Sequence, residues 1–311
     1  MAHNTDPGMV TGAPLLAGVE LGGTKCICIL GTGVQDVRAQ VELPTQSPGA
    51  TLPAVEAVLD AWRAAGADFM AIGLAAFGPL NLQRGSPRYG WVARTVKAAW
   101  SDTELLARFA RRYRLPTGID TDVNAAARAE GRWGDAQALA DFVYVTVGTG
   151  IGAGIIVDGR PLSGVHHSEL GHLRIARLPG DDFPGVCPFH GDCLEGLASG
   201  PAIAARSHRN PADLAPEDPA WDSVAHALAQ LCQALVLSTG PRRIFLGGGV
   251  MVHQPQLFGM IRQRLQRSLN GYLAIDEVGP GIDRFIVPSG LGAAVGPLGA
   301  LAVAADRLLK T

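Results

Sequence analysis

A chain of 311 residues, 47% hydrophobic and 17% charged, has the apolar content to bury a large core and the length for two domains, which excludes a disordered segment. The formal net charge of −2 offers no basic excess, so nucleic acid and membrane surfaces are not expected partners and a small molecule is. No run of about 18 uncharged apolar residues occurs, the opening MAHNTDPGMVTGAP lacks a leader pattern, and three of the five cysteines stand apart at 26, 28 and 232, so a cytoplasmic location is expected.

In chain order, the segment from Ala17 to Leu30 places β-branched and apolar residues on either side of Gly22-Gly23 and reads as a β-hairpin. Beyond Pro44, Leu52, Val55, Val58, Leu59 and Trp62 recur at helical spacing, and the apolar run AIGLAAFG is short enough for a buried strand. That alternation predicts an α/β domain. From Asp141 to Asp158, DFVYVTVGTGIGAGIIVD repeats the apolar, glycine-rich, apolar order of the first hairpin and predicts two similar halves. The proline-rich stretch Asn210–Pro219 reads as a loop before a helix spanning Trp221 to Leu237. RRIFLGGGV then predicts a strand ending in three glycines, followed by a helix carrying Leu257, Ile261, Leu265 and Leu269.

Four groups of residues carry chemistry. Gly22 and Gly23 would let backbone amides approach a polyphosphate, with Thr24 adding a hydroxyl and Lys25 a charge. By itself this is equally an ordinary hairpin turn. A second loop at Gly148-Thr149-Gly150 gives it weight, because one such turn from each half could grip a nucleotide tail, while Gly247, Gly248 and Gly249 could let an adenosine lie against backbone. Asp122, in Asp120-Thr121-Asp122-Val123-Asn124, stands where a strand enters a helix; it reads as a helix cap, as the carboxylate that takes a proton from a sugar hydroxyl in phosphoryl transfer, or as both.

His172 with Cys187, His190 and Cys193 forms a donor set of the kind Zn²⁺ prefers in closed structural sites. The intervening LPGDDFPG has few apolar residues to order it by burial, so the metal is expected to supply that order. Glu169 and Glu195 bracket the set and are candidate sugar contacts. His166 and His167 stay open; His208, His226 and His253 are expected to have no chemical role.

Taken together these motifs resemble the ROK family of bacterial sugar kinases and repressors, in particular its fructokinase branch, over about Ala17 to Leu309. ExGGTK at Glu20–Lys25 is similar to the family's first phosphate motif, with Glu where its glucokinases commonly carry Asp. The segments GLAAFGPLNL from Gly73, SPRYG from Ser86 and TVKAAW from Thr95 are similar to the branch's GPL, SPxYG and TPKxxW elements, with Val96 in the proline position. HSELGH at His167–His172 is similar to its HPEMGH element, with Ser168 for proline.

The resemblance implies a two-domain actin/hexokinase-like (ribonuclease H-like) α/β fold. Residues 1–121 with a returning helix 296–311 would form one domain and residues 122–295 the other, with a nucleotide cleft between them. It implies ATP and Mg²⁺ in that cleft, Pro201 on the nucleotide side, a structural Zn²⁺ on His172, Cys187, His190 and Cys193, and sugar contacts at Thr121, Asp122, Glu169, His172 and Glu195. The expected reaction is phosphorylation of fructose at the 6-hydroxyl with Asp122 as general base, in a homodimer. A kinase for glucose, mannose or an N-acetylhexosamine, or a silent sugar sensor, are the alternatives. With about sixteen residues ahead of the first hairpin, a helix-turn-helix repressor is not expected. GLGAAVG from Gly290 departs from the family's GLGDNAG and puts a nucleotide-side contact or the pinning of the last helix in question.

Overall fold

The computed structural model describes residues 12–310; residues 1–11, on which the absence of a leader pattern chiefly rests, lie outside it. Strands β1 (Leu16–Leu21), β2 (Lys25–Gly33) and β3 (Asp36–Pro44) form an antiparallel meander, and after helix α1 (Pro48–Ala64) strand β4 (Ile72–Ala76) pairs parallel with β1. Helix α2 (Leu106–Tyr113) leads to β5 (Thr117–Thr121), parallel with β4, and then to α3 (Asp122–Trp133). The sheet order is β3-β2-β1-β4-β5.

The second half repeats this plan. Strands β6 (Phe142–Val147), β7 (Ile151–Val157) and the two-residue β8 (Arg160–Pro161) form the meander. Helices α4 (Leu194–Ala198), α5 (Gly200–Ser207) and α6 (Ala220–Thr239) follow, and β9 (Ile244–Gly247) returns parallel to β6. Helices α7 (Gly249–His253), α8 (Gln256–Leu269) and α9 (Ile282–Phe285) precede β10 (Ile286–Pro288), and α10 (Val295–Leu308) ends the fold. The order β8-β7-β6-β9-β10 matches the first sheet strand for strand. The two similar hairpins seen in the sequence are thus the centres of two similar sheets. Both third strands escaped the sequence reading: β3 is a half-exposed edge whose polar residues alternate with Val37 and Val41, and β8 is too short to show a pattern.

The halves are joined by an exchange of helices. Helix α3 follows the first sheet but packs on β6 and β7; α10 follows the second sheet but packs on β1, β2 and β4, and the two helices cross each other. Small residues permit the close approach. A Cβ on Gly73 of β4 would fall 1.9 Å from the Ala300 carbonyl oxygen of α10, and one on Gly154 of β7 would fall 2.3 Å from the Val123 carbonyl of α3, so neither position can carry a side chain without moving a helix. Strand β4 is buried along its whole length, as expected of a central parallel strand covered on both faces. The arrangement brings the start of α10 against Glu20 at the end of β1, β7 against Val123 at the start of α3, and the β6–β7 turn against Glu195.

Candidate functional site

Asp122 owes its position to its neighbours. Thr121 is the cap of α3, its buried hydroxyl accepting from the Asn124 N–H at 3.2 Å, so Asp122 is the first helical residue and not the cap that its sequence position also allowed. Buried Asp120 fixes the junction from below, accepting from Thr121 N–H (2.9 Å), Asn124 Nδ2 (2.8 Å) and Arg128 (2.9 Å). The Asp122 carboxylate accepts from the Val123 N–H at 2.9 Å. Burial pushes its carboxyl up to about 6 against that hydrogen bond, and the Glu169 charge adds to the rise.

Glu20, at the end of β1, faces the same space. Its carboxyl is pushed up to about 7 by burial and by Asp122, against the pull of Lys25. A Cβ on Gly296, in the first turn of α10, would fall 2.1 Å from its Oε1, so only glycine leaves room for this carboxylate. Two facing carboxylates with raised proton affinity are a site that a divalent cation would suit.

Gly22, Gly23 and Thr24 form the β1–β2 turn, held from behind by Thr45: its N–H donates to the Thr24 carbonyl (3.0 Å) and its hydroxyl to the Gly22 carbonyl (2.9 Å). Lys25 is turned onto Glu42, Nζ to Oε2 2.9 Å, with both side chains more than half exposed. The cation beside the turn is Lys97, whose Cε would lie 3.6 Å from a Cβ on Gly23. Its segment is anchored by buried Trp100, which donates from Nε1 to the Gln46 carbonyl at 2.7 Å and meets Phe77 edge-on.

The second turn is more heavily built. The Gly148 N–H donates to the Gly150 carbonyl (2.9 Å), and the Gly148 carbonyl accepts from the Gly200 N–H at the start of α5 (2.7 Å), beside exposed Pro201. Thr149 is the exposed tip. Gly247 and Gly249 flank Gly248, which has φ +86° and where a Cβ would fall 2.5 Å from the Val147 carbonyl, so this position demands glycine on both counts. The three glycine-rich elements of the second half therefore meet at one place.

Glu195, in the first turn of α4, accepts from the Ile151 N–H at 3.0 Å, which binds α4 to that turn. Glu169 is half-exposed and lines a cavity of about 350 Å³ with Pro79, Asn81, Gln83, His166 and His167, near the lower end of the range of small-ligand pockets.

His172, Cys187, His190 and Cys193 converge, with all their ligand atoms within 4.8 Å of one another. Cys187 Sγ lies 3.8 Å from His172 Nδ1 and 3.6 Å from His190 Nδ1, and Cys193 Sγ lies 3.6 Å from His172 Nδ1. A tetrahedron with Zn–S of about 2.3 Å and Zn–N of about 2.0 Å has edges of about 3.5 Å, so the set fits a closed metal site. The loop is also tied by means the sequence did not disclose. Asp181 takes two hydrogen bonds from Arg206, at 2.6 and 2.9 Å, and Arg206 stacks over Phe183.

Residues 16–307 match the ROK family. The chain belongs to the ROK family. A fructokinase of Pediococcus pentosaceus is 41% identical over 294 residues, spanning 94% of this ROK chain and 99% of the relative, and a fructokinase of Zymomonas mobilis is 39% identical over 290 residues, spanning 92% and 95%. Among solved structures, a ROK hexokinase from Thermus thermophilus superposes with a TM-score of 0.73 at 28% identity, covering 96% of this chain and 100% of that one. A ROK family glucokinase from Streptomyces griseus in complex with glucose and AMPPNP has the same fold, with a TM-score of 0.72 at 24% identity over 94% of this chain and 99% of that one. The fold is thus the two-domain actin/hexokinase-like α/β fold expected of a ROK protein.

The departure at Gly290 has a structural consequence. Ala294 precedes α10 without a side-chain cap, and the approach to the helix is held by fully buried Glu130, which accepts from the Ser289 hydroxyl and the Leu291 N–H. Sequence reasoning missed Glu20 and Lys97 as members of the site although both stand inside quoted motifs; the signal available was the Glu of ExGGTK and the Lys of TVKAAW.

Proposed function

We propose that this ROK protein transfers the γ-phosphoryl group of ATP to the 6-hydroxyl of fructose. The observation that carries the reading is the pair of fructokinase relatives near 40% identity along almost their full lengths. The geometry accords with it. The nucleotide would lie with its phosphates between the Gly22–Thr24 and Gly148–Gly150 turns and its adenosine against Gly247, Gly248, Gly249 and Pro201. Lys97 would stand beside the first turn, and Mg²⁺ accompanying the nucleotide, near Glu20 and Asp122, would neutralise phosphate charge. The sugar would be read by Thr121, Glu169, His172 and Glu195, with Asp122 as base. The sugar O6 forms its bond to phosphorus as the bond to the ADP oxygen breaks, and the O6 proton passes to the Asp122 carboxylate, whose raised proton affinity suits the task.

Zn²⁺ on His172, Cys187, His190 and Cys193 would hold in register the loop that carries Glu169 and Glu195. Residues 1–121 with 296–311 would close on residues 122–295 and exclude water. We take the protein to be a cytoplasmic homodimer; among the described residues no helix is long and apolar enough to cross a membrane. A coupled ADP-release assay over fructose, mannose, glucose and N-acetylmannosamine, with and without Mg²⁺, tests the reading. Fructose should be preferred at least tenfold in kcat/KM and require Mg²⁺. Preference for another sugar would replace the substrate, and no response to any sugar would leave a binding protein.

A further inference from the structure

One histidine outside the metal set is buried where two walls of the sugar cavity meet. His167 is 6% exposed, and its ring lies against the 78–82 segment: a Cβ on Gly78 would sit 3.2 Å from its Cε1 and 3.3 Å from Glu169 Oε1. Its Nε2 accepts from the Leu80 N–H at 3.0 Å. A backbone N–H can only donate, so Nε2 must carry the lone pair and the ring proton must sit on Nδ1. Nδ1 faces two acceptors, the Ser168 carbonyl at 3.3 Å and Glu169 Oε1 at 3.4 Å. The Leu80 N–H thus dictates the tautomer whose Nδ1 proton is accepted by the Ser168 carbonyl and stands 3.4 Å from Glu169 Oε1.

We propose that His167 is a positioning residue for sugar recognition: through its fixed tautomer it holds the Glu169 carboxylate toward the cavity and locks that carboxylate to the Pro79–Leu80 wall opposite. The inference rests on the reading of Glu169 as a sugar contact. In a half-exposed carboxylate that would otherwise sample several rotamers, attraction of one oxygen to the Nδ1 proton, 3.4 Å from the ring nitrogen, would leave the other to meet a sugar hydroxyl. Recognition would then depend on two segments 87 positions apart in sequence staying in register.

Two near-isosteric substitutions separate the two contacts. In H167Q the amide oxygen reaches the Nε2 position and satisfies Leu80, but nothing donates at Nδ1; in H167N the amide nitrogen stands at Nδ1 and donates toward Glu169, but Leu80 is left without an acceptor. H167Q should raise the KM for fructose about tenfold, the effect of losing one hydrogen bond to a charged group, with melting temperature and KM for ATP near those of the wild type. H167N should melt earlier yet keep a fructose KM within about threefold. A fructose KM in H167Q within twofold of the wild type, or equal rises in both variants, overturns the proposal. Two-bond ¹H–¹⁵N correlation spectra of the wild-type protein decide the tautomer without reference to activity: a protonated Nδ1 and bare Nε2 support the proposal and the reverse removes it. If the wild type does not turn over fructose, the substrate reading fails by itself, and the spectra together with the KM for the sugar that is used still judge His167.

Discussion

The two halves of the molecule share one sheet order yet differ in what each inserts beside its turn. In the first half the turn at Gly22–Thr24 is supported from behind by Thr45, and the inserted segment 77–105 brings Lys97 and the Pro79–Gln83 wall. In the second half the turn at Gly148–Gly150 is braced by Gly200 and through Ile151 by Glu195, and the inserted segment carries the converging His172, Cys187, His190 and Cys193. The same plan has been loaded differently: one half supplies charge and a wall, the other an acidic frame beside a cluster of metal-type ligands. Asp122, the proposed base, stands at the junction, on the helix that leaves one half to pack on the other.

If Asp122 is the point where the halves meet chemically, its loss should have the largest effect. Asp122→Asn should lower kcat by about 10³-fold, within the range for general bases, while ATP binding by calorimetry and the melting temperature stay close to wild type. Next comes the charge asymmetry of the first half. Lys97→Met should lower kcat by about 10²-fold, as for loss of one donor to transition-state charge, and Lys25→Met by a few-fold at most because Glu42 already holds that side chain. Equal losses in the two variants would erase the distinction.

Removal of metal should act on the second half only. Chelated protein, or Cys187→Ser, should release about one Zn²⁺ per chain, lower the melting temperature and raise the KM for fructose several-fold, with the KM for ATP little changed. The effect of pH is graded. Asp122, at about 6, must be ionised to accept a proton, so kcat should fall about tenfold per unit below that value. Stability of the ligand-free protein should move the other way. Asp122 and Glu20 have folded values near 6 and 7, above the unfolded values of about 4, so their contribution is complete below about pH 4 and is lost as pH rises through 6 to 7. Melting curves between pH 5 and 8 check the sign, and Mg²⁺ with nucleotide should reverse the loss.

Much of the molecule was legible beforehand because its signals are local. Hairpins, helical periods and the C-x-x-H-x-x-C run depend on neighbours in sequence, and Leu52 through Trp62 or Cys187 through Cys193 announce themselves within a few residues. Lys25 shows the limit: in sequence it belongs to the phosphate turn, but in the fold its ammonium is taken by Glu42 of β3, 17 positions away. Lys97 shows the converse, since only folding of the 77–105 segment brings it to Gly23.

By itself the sequence determined the α/β class, the two related halves, the metal-type ligand set and the resemblance that led to the family, all of them short-range patterns of residue type. The tertiary structure alone decided the close approach of the two helices through glycines such as Gly73 and Gly154, the burial that lifts the Glu20 and Asp122 carboxyls, and the tautomer of His167. Those depend on side chains from distant segments sharing one desolvated space, where a carboxylate's proton affinity and a ring's proton position are set by whatever lies within a few ångströms and not by the residues on either side in the chain.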